Sequence, residues 1–291
     1  MTFKILGKGF IGSSIFEGLS AAGYCVEAID SQTVDLTDYE AVEAILPKLI
    51  NVEDTVVFAA STTRLRDNSS VSHDHNLKMV ENIVRLVECG RLKFSSLIFL
   101  STVDVYGFDI RENFIHENLP VNPQDYYSKS KLSGERLLLN SFPRYNIPIL
   151  VLRFPGVYGP GDDGKSTIWR MVDSALLNGK ITVFGDGKDV RDFLHVDDIT
   201  KFIIQNMSAR YNSRLLNIAS GFSISISELA LKIQSITKSN ISWVEQSETK
   251  RLSSMKFELD ALSSLYPDFS PTPLDAGLVS YIGYQKTKLG L

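Results

Sequence analysis

Only two cysteines, Cys25 and Cys89, occur in the 291 residues, far apart and in no CxxC pair, so neither a disulfide framework nor a thiolate metal site is expected. The four histidines show no metal-ligand spacing, and no metal is expected from them. Clustered positive charge is missing too. The formal net charge is −4 with Lys and Arg scattered singly, which argues against the basic footprint a nucleic-acid partner requires. No apolar run approaches the length of a membrane span. Because no charged leader precedes the first apolar segment, a cytoplasmic location is expected, with both thiols buried and reduced. Internal repeats and low-complexity tracts are absent, and no arginine occurs between Met1 and Thr63.

What is present is a 44% hydrophobic chain, long enough for one large core and a smaller lobe. Strand-like runs at Thr2–Leu6, Tyr24–Ile29, Thr55–Ala60, Ser96–Ser101 and Ile147–Phe154 alternate with helical patterns at Ile11–Gly23, Tyr39–Ile50, Asn76–Cys89 and Tyr127–Ser141. Strand then helix, repeated, predicts an α/β fold with a doubly wound parallel sheet, and continuous apolar strands imply helices on both faces. Pro155, Gly156, Gly159, Pro160, Gly161 and Gly164 then mark a boundary. The reading is a dinucleotide-binding domain over 1–154, completed by 185–218, with 155–184 and 219–291 forming a smaller C-terminal α/β substrate lobe. Helices near Trp169–Leu177 and Ile226–Thr237, a strand at Ile181–Phe184 and a polar, proline-punctuated tail are expected there.

Gly7-Lys8-Gly9-Phe10-Ile11-Gly12 follows a strand and opens a helix, the context that makes GxGxxG a dinucleotide fingerprint. The first glycine serves the turn, the second lets backbone N–H groups approach a pyrophosphate, and the third lets helix and strand pack closely. Asp30 ends the second strand about twenty residues on, where a carboxylate can accept both adenosine ribose hydroxyls. It would repel a 2′-phosphate, which favours NAD, while Lys8 keeps NADP open. Asp30 as an ordinary turn or capping aspartate is the competing reading.

Tyr127 and Lys131 stand at i and i+4 on one helix face. Alone, such a pair means little. Here the apolar strand Leu97–Leu100 delivers Ser101, Thr102 and Asp104 at its carboxyl end, the edge where open α/β sheets bind ligands. Tyrosine has a pKa of about 10, so a base working near pH 7 needs about 4 kcal/mol from its site. One cation about 6 Å away supplies about 3 kcal/mol at an effective dielectric near 20. Lys131 therefore falls short alone and suffices together with a positive nicotinamide ring. In this reading Tyr127 exchanges the proton, Thr102 holds the reacting oxygen, and Lys131 binds the nicotinamide ribose.

With these motifs in order, the sequence resembles the NAD-dependent epimerase/dehydratase family, the extended short-chain dehydrogenases, over nearly its whole length. Asp35-Leu36-Thr37-Asp38 is similar to the adenine-side motif of that family, and Val56–Ala60 to its nicotinamide-side strand. Ser101-Thr102-Val103-Asp104-Val105-Tyr106-Gly107 resembles the active-site strand. Val157–Gly161, Gly185-Asp186-Gly187 and Arg191–Asp198 resemble two downstream motifs. The resemblance implies a Rossmann-type fold that places Gly7, Gly9, Phe10, Ile11, Gly12, Asp30, Asp35, Leu36, Ala59, Ala60, Tyr127, Lys131 and Pro155 on the cofactor. It implies a nucleotide-diphosphate sugar as substrate, met by Asp104 and Arg191, and a homodimer formed through the helices at 76–89 and 127–141. Val80, Ile83, Val84 and Val87 are the expected second apolar stripe, unless they face the protomer's own core. Arg191 as a salt-bridged loop residue and Asp104 as a carboxylate hydrogen-bonded at the strand end are the plainer alternatives, and His195 is expected to be structural.

Departures from the family pattern are a glycine loop one residue short, Gly156 where many members carry a substrate-contacting asparagine, and Val103-Asp104 in place of a dehydratase acid pair. Two readings stay open: a nucleotide-sugar epimerase with recycled NAD, favoured by Asp30, and a nucleotide-sugar 4-ketoreductase using external NAD(P)H, favoured by Lys8, the short chain and the compact C-terminal lobe. A non-catalytic NAD-binding regulator ranks below both.

Overall fold

The computed structural model describes residues 2–108, 110, 112–162, 164, 166–205, 213–245 and 254–291. In chain order the elements are β1 Thr2–Leu6, α1 Phe10–Ala21, β2 Cys25–Ile29, α2 Tyr39–Leu49, β3 Thr55–Phe58, α3 Ser70–Glu88, β4 Ser96–Thr102, α4 Tyr126–Ser141, β5 Ile149–Phe154 and β6 Gly156–Tyr158. There follow α5 Thr167–Asn178, β7 Lys180–Phe184, β8 Val190–Arg191, β9 Phe193–His195, α6 Val196–Gln205, β10 Arg214–Asn217, β11 Ile224–Ser225, α7 Ile226–Thr237, β12 Asn240–Val244, α8 Asp260–Leu265 and α9 Leu274–Leu289. None of the described helices is long and apolar enough to cross a membrane.

Two compact units divide the chain: Met1–Gly107 with Pro120–Phe154 and Thr200–Asn217, and Phe108–Leu119 with Pro155–Ile199 and Ile218–Leu291. The segment returning to the first unit is thus shorter than the expected 185–218, and Phe108–Leu119 joins the second. In the first unit six parallel strands run β10-β5-β4-β3-β1-β2. Every residue of β3, β4 and β5 is buried, as apolar strands covered on both faces must be. The strand order reverses at β1, so the carboxyl ends of β1 and β3 form a switch point, the place where open sheets of this kind take ligands.

Two expectations fail in this unit. Cys25 and Cys89 are free but exposed, because Cys25 opens the half-exposed edge strand β2 and Cys89 caps α3. Val80, Ile83, Val84 and Val87 are all buried in the unit's own core with Leu86, Phe99 and Leu138, so they form no outward stripe.

The second unit gathers Tyr158, Ile168, Val172, Ile181, Leu229, Ile233, Tyr281 and Ile282 into a separate core. The expected polar tail contains α9, a helix that buries Leu278, Tyr281 and Ile282. Its pattern is obscured by Gly277 and Gly283. Gly277 is required there, since a Cβ would stand 2.1 Å from the Tyr158 hydroxyl.

Candidate active site

The glycine loop owes its shape to two close approaches. Gly7 has φ +102 and a Cβ on it would stand 2.6 Å from the Ala60 backbone N, while a Cβ on Gly12 would stand 2.1 Å from the Gly7 carbonyl oxygen. Gly7 N–H donates to Ile29 O at 2.9 Å and Ala59 N–H to Leu6 O at 2.8 Å, which brings the loop, the end of β2 and Ala59-Ala60 together at the switch point. Gly9 differs, because a Cβ there would meet nothing within 4 Å. As N-cap of α1 it offers no side-chain cap, so the turn opened by Phe10 and Ile11 keeps N–H groups for an anion. A bare backbone cradle at a helix N-terminus fits a pyrophosphate.

Asp30 lies one residue beyond β2. Its Oδ1 accepts from Gln32 N–H, Thr33 N–H and the Thr33 hydroxyl, each at 3.1 Å, which leaves Oδ2 for a ribose. The Thr33 amide and hydroxyl hold this carboxyl below the usual carboxylate range, with lesser help from Gln32 and Lys8. Lys8 itself lies with Nζ 5.4 Å from the centre of the Phe16 ring. Asp35 is held in the same way by Thr37, whose amide and hydroxyl each donate at 2.8 Å. The Leu36 side chain is core, and its carbonyl accepts from Asn82 Nδ2 at 2.8 Å.

Thr102 ends β4 and accepts the Asp104 N–H at 3.1 Å, capping the 3-10 turn Val103–Tyr106. That bond uses a lone pair of Oγ1, so the hydroxyl proton can be donated to a ligand. Asp125 caps α4 through the Ser128 N–H at 2.7 Å, and Asn68 accepts the Tyr127 N–H at 3.2 Å. Lys131, one turn on, is buried with Nζ 2.9 Å from Leu100 O and 5.9 Å from the centre of the Tyr127 ring. Burial pushes its ammonium down to about 8, against an opposing pull from Glu135.

The surroundings of Tyr127 act against loss of its proton. Tyr127 is only partly exposed, and burial pushes its pKa up, reinforced by Asp104 and more weakly by Asp125 and opposed by Arg64. The ammonium is meanwhile bonded to the Leu100 carbonyl. The phenol therefore holds its proton, and a further positive charge would be needed to release it.

Arg64, Asn68, Asn76, Glu135 and Arg153 went unnoticed in the sequence. Arg64 Nη1 bridges Asp104 at 3.1 Å and Asp125 at 3.4 Å, tying the strand end to the cap of α4. Asp104 is thus an ion-paired carboxylate. Asn76 accepts the Thr62 N–H at 2.7 Å and donates to the Ser130 hydroxyl at 3.2 Å. Of these, Arg153 alone left a signal in the sequence, a charge inside the apolar run Ile149–Phe154.

In the second unit, Arg191 on β8 donates from Nη1 to Val190 O at 2.8 Å and from Nη2 to Asp189 Oδ2 at 3.3 Å. Pro155 also belongs to this unit. His195 is buried edge-on to Tyr158, ring centres 5.3 Å apart, within the local core.

Residues 5–219 match the model of the NAD dependent epimerase/dehydratase family. The UDP-glucose 4-epimerase of Mycolicibacterium smegmatis is 29% identical over 245 residues, covering 76% of this chain and 77% of that protein. The UDP-N-acetyl-alpha-D-glucosaminuronate decarboxylase of Bacillus cytotoxicus is 27% identical over 266 residues, covering 80% and 79%. The dTDP-D-glucose 4,6-dehydratase of Dictyostelium discoideum is 28% identical, but the match spans 70% of this chain and only 49% of that relative. Among solved structures, the UDP-glucose 4-epimerase of Thermotoga maritima with UDP-glucose superposes with a TM-score of 0.86 at 23% identity, over 99% of this chain and 100% of that one.

Proposed function

The chain belongs to the NAD dependent epimerase/dehydratase family, and from that premise we propose that it is a nucleotide-diphosphate-sugar epimerase that recycles a bound NAD. Bound nicotinamide supplies hydride acceptance and return. The chain's residues do the rest. Tyr127 takes the proton from a sugar hydroxyl and gives it back, Thr102 donates a hydrogen bond to the same oxygen, and Lys131 holds the nicotinamide ribose. Gly7, Gly9 and Gly12, with Phe10 and Ile11, carry the pyrophosphate, and Asp30 takes the adenosine ribose. Asp35, Leu36, Ala59, Ala60 and Pro155 complete the cofactor set, while Asp104 and Arg191 serve the substrate.

Asp30 is the observation that carries the choice of NAD and recycling, because its carboxylate is held anionic with one oxygen left over. A 2′-phosphate there would meet like charge. The relatives named above act on UDP- and dTDP-sugars, which supports a nucleotide sugar as substrate. The ketoreductase reading rests on Lys8, the short chain and the compact C-terminal lobe; Lys8, with its ammonium 5.4 Å from the centre of the Phe16 ring, also lends its charge to Asp30.

The test is to quantify nicotinamide nucleotide released from the purified protein, then incubate it with UDP- and dTDP-hexoses without added cofactor and separate the epimers by chromatography. Retained NAD and epimer formation are expected. An empty site, with turnover of 4-keto sugars only on adding NADPH, replaces this reading with the reductase. A homodimer and a cytoplasmic location are part of the proposal. Any dimer would have to use surface other than the buried valines of α3, and light scattering reads its mass.

A further inference from the structure

Behind Thr102, Tyr127 and Lys131 lies a row of buried polar groups that the chemistry above does not use. Ser101, Arg153 and Asn217 stand opposite one another on β4, β5 and β10, each directly after a run of buried or half-buried apolar residues. Glu135, one helical turn beyond Lys131 on α4, meets the first two. Arg153 donates to its carboxylate from Nε at 3.0 Å and from Nη2 at 2.6 Å, and the Ser101 hydroxyl donates to Oε1 as well. The Arg153 guanidinium also lies 4.8 Å from the centre of the Tyr106 ring, and the Tyr106 hydroxyl donates to Asn217 Oδ1 at 2.9 Å. Tyr106 closes the 3-10 turn that Thr102 caps. The Glu135–Arg153 pair therefore touches both the helix bearing Tyr127 and Lys131 and the segment bearing Thr102.

Stability does not account for such a pair. Replacing two buried ions by apolar groups of similar volume is often neutral or favourable. Arg153 Nη1 is moreover buried without a hydrogen-bond partner among the described residues, a further cost. What the pair does supply is a carboxylate held in one place at i+4 from a lysine that sits among the Leu100 carbonyl, the Phe99 ring at 5.1 Å and the Tyr127 ring.

We infer that Glu135 is a positioning residue for the catalytic lysine: anchored by Arg153 on β5 and Ser101 on β4, its carboxylate fixes α4, and with it the buried Lys131 four residues before it, against the end of β4. The inference rests on the roles proposed for Tyr127 and Lys131. Glu135 is also the charged group that opposes the effect of burial on Lys131, and it is itself ion-paired with Arg153.

The experiment is an NMR pH titration of the ligand-free protein labelled with 13C and 15N in lysine. The Lys131 signal is assigned by its loss in Lys131→Met. The wild-type midpoint is expected near 8, with Glu135→Gln lower by about one pH unit, within the range an adjacent opposite charge produces. Glu135→Asp, which keeps the charge, should restore most of the difference. If Glu135→Gln fails to fold, Glu135→Met with Arg153→Met removes both charges without stranding either, and a fall smaller than that of Glu135→Gln is expected because the Arg153 cation goes as well. A folded variant of either kind with the wild-type midpoint overturns the inference. NADH titration of the same samples judges the other idea separately. If Lys131→Met binds NADH as wild type does, the cofactor role of Lys131 fails, whatever the midpoints show about Glu135.

Discussion

Alanine at Gly9 and at Gly12 should separate cofactor binding from folding within one loop. At Gly12 the new methyl would stand 2.1 Å from the Gly7 carbonyl oxygen and 3.1 Å from its carbon, both backbone atoms that cannot rotate away. Ordinary contact needs more than 1 Å of additional separation, so helix α1 and the loop must move apart. Overpacking of this kind costs about 1–3 kcal/mol, and an unyielding backbone places this case near the upper end. Alanine's better helix propensity returns less than about 1 kcal/mol. With about 2–4 °C lost per kcal/mol in a chain of this size, Tm should fall by about 4–10 °C. At Gly9 the methyl meets nothing within 4 Å and φ is −80, open to any residue. Only a few tenths of a kcal/mol of capping preference should be lost. The methyl would instead fill the space in front of the α1 N–H groups, so NADH affinity should drop at least tenfold, about 1.4 kcal/mol. Melting followed by circular dichroism and NADH fluorescence titration read the two effects. Wild-type NADH affinity in a folded Gly9→Ala would refute the placement of the pyrophosphate, and an unchanged Tm in Gly12→Ala would refute the packing argument.

Three further outcomes follow from the same geometry. Tyr127→Phe should bind NADH normally and lose two to four orders of magnitude in turnover, and undiminished turnover would remove Tyr127 from the mechanism. Arg64→Gln strips the cation shared by Asp104 and Asp125; since Arg64 opposes the rise in the Tyr127 pKa, the kcat/KM profile should move to higher pH, and an unmoved profile counts against the assignment. Lys131 has a folded pKa near 8, below its ordinary 10.5, so the unfolded chain binds more protons between those values. Stability from this group should then rise with pH from about 8 to about 10.5, while its penalty stays constant below 8. Urea unfolding across that window should show a smaller upward slope in Lys131→Met than in wild type, and equal slopes would contradict the burial of the ammonium.

Local pattern in the sequence was enough for much of this protein. The alternation of apolar strands and amphipathic helices fixes a parallel sheet, since a strand buried on both faces must be apolar throughout and its crossover must be helical. GxGxxG between β1 and α1 marks a tight turn, because glycine is needed wherever backbone approaches backbone at the distances seen at Gly7 and Gly12. The i, i+4 spacing of Tyr127 and Lys131 likewise needs only a helix to bring them together.

Partners distant in the chain were decided by the tertiary structure alone. Arg64 reaches Asp104 and Asp125 across forty and sixty residues, and Glu135 reaches Arg153 from helix to strand. The valines of α3 show the same limit, because periodicity reveals an apolar stripe but not whether the protomer's own core covers it. Cys25 looked buried from its apolar neighbours and is exposed because β2 lies at the sheet edge. In α9 the glycine that conceals the helix pattern is the one that admits the Tyr158 hydroxyl, a contact more than a hundred residues away in sequence. The charge states of Tyr127 and Lys131 belong to this second class. Dielectric and Coulomb field depend on distance through space, whereas sequence records distance along the chain.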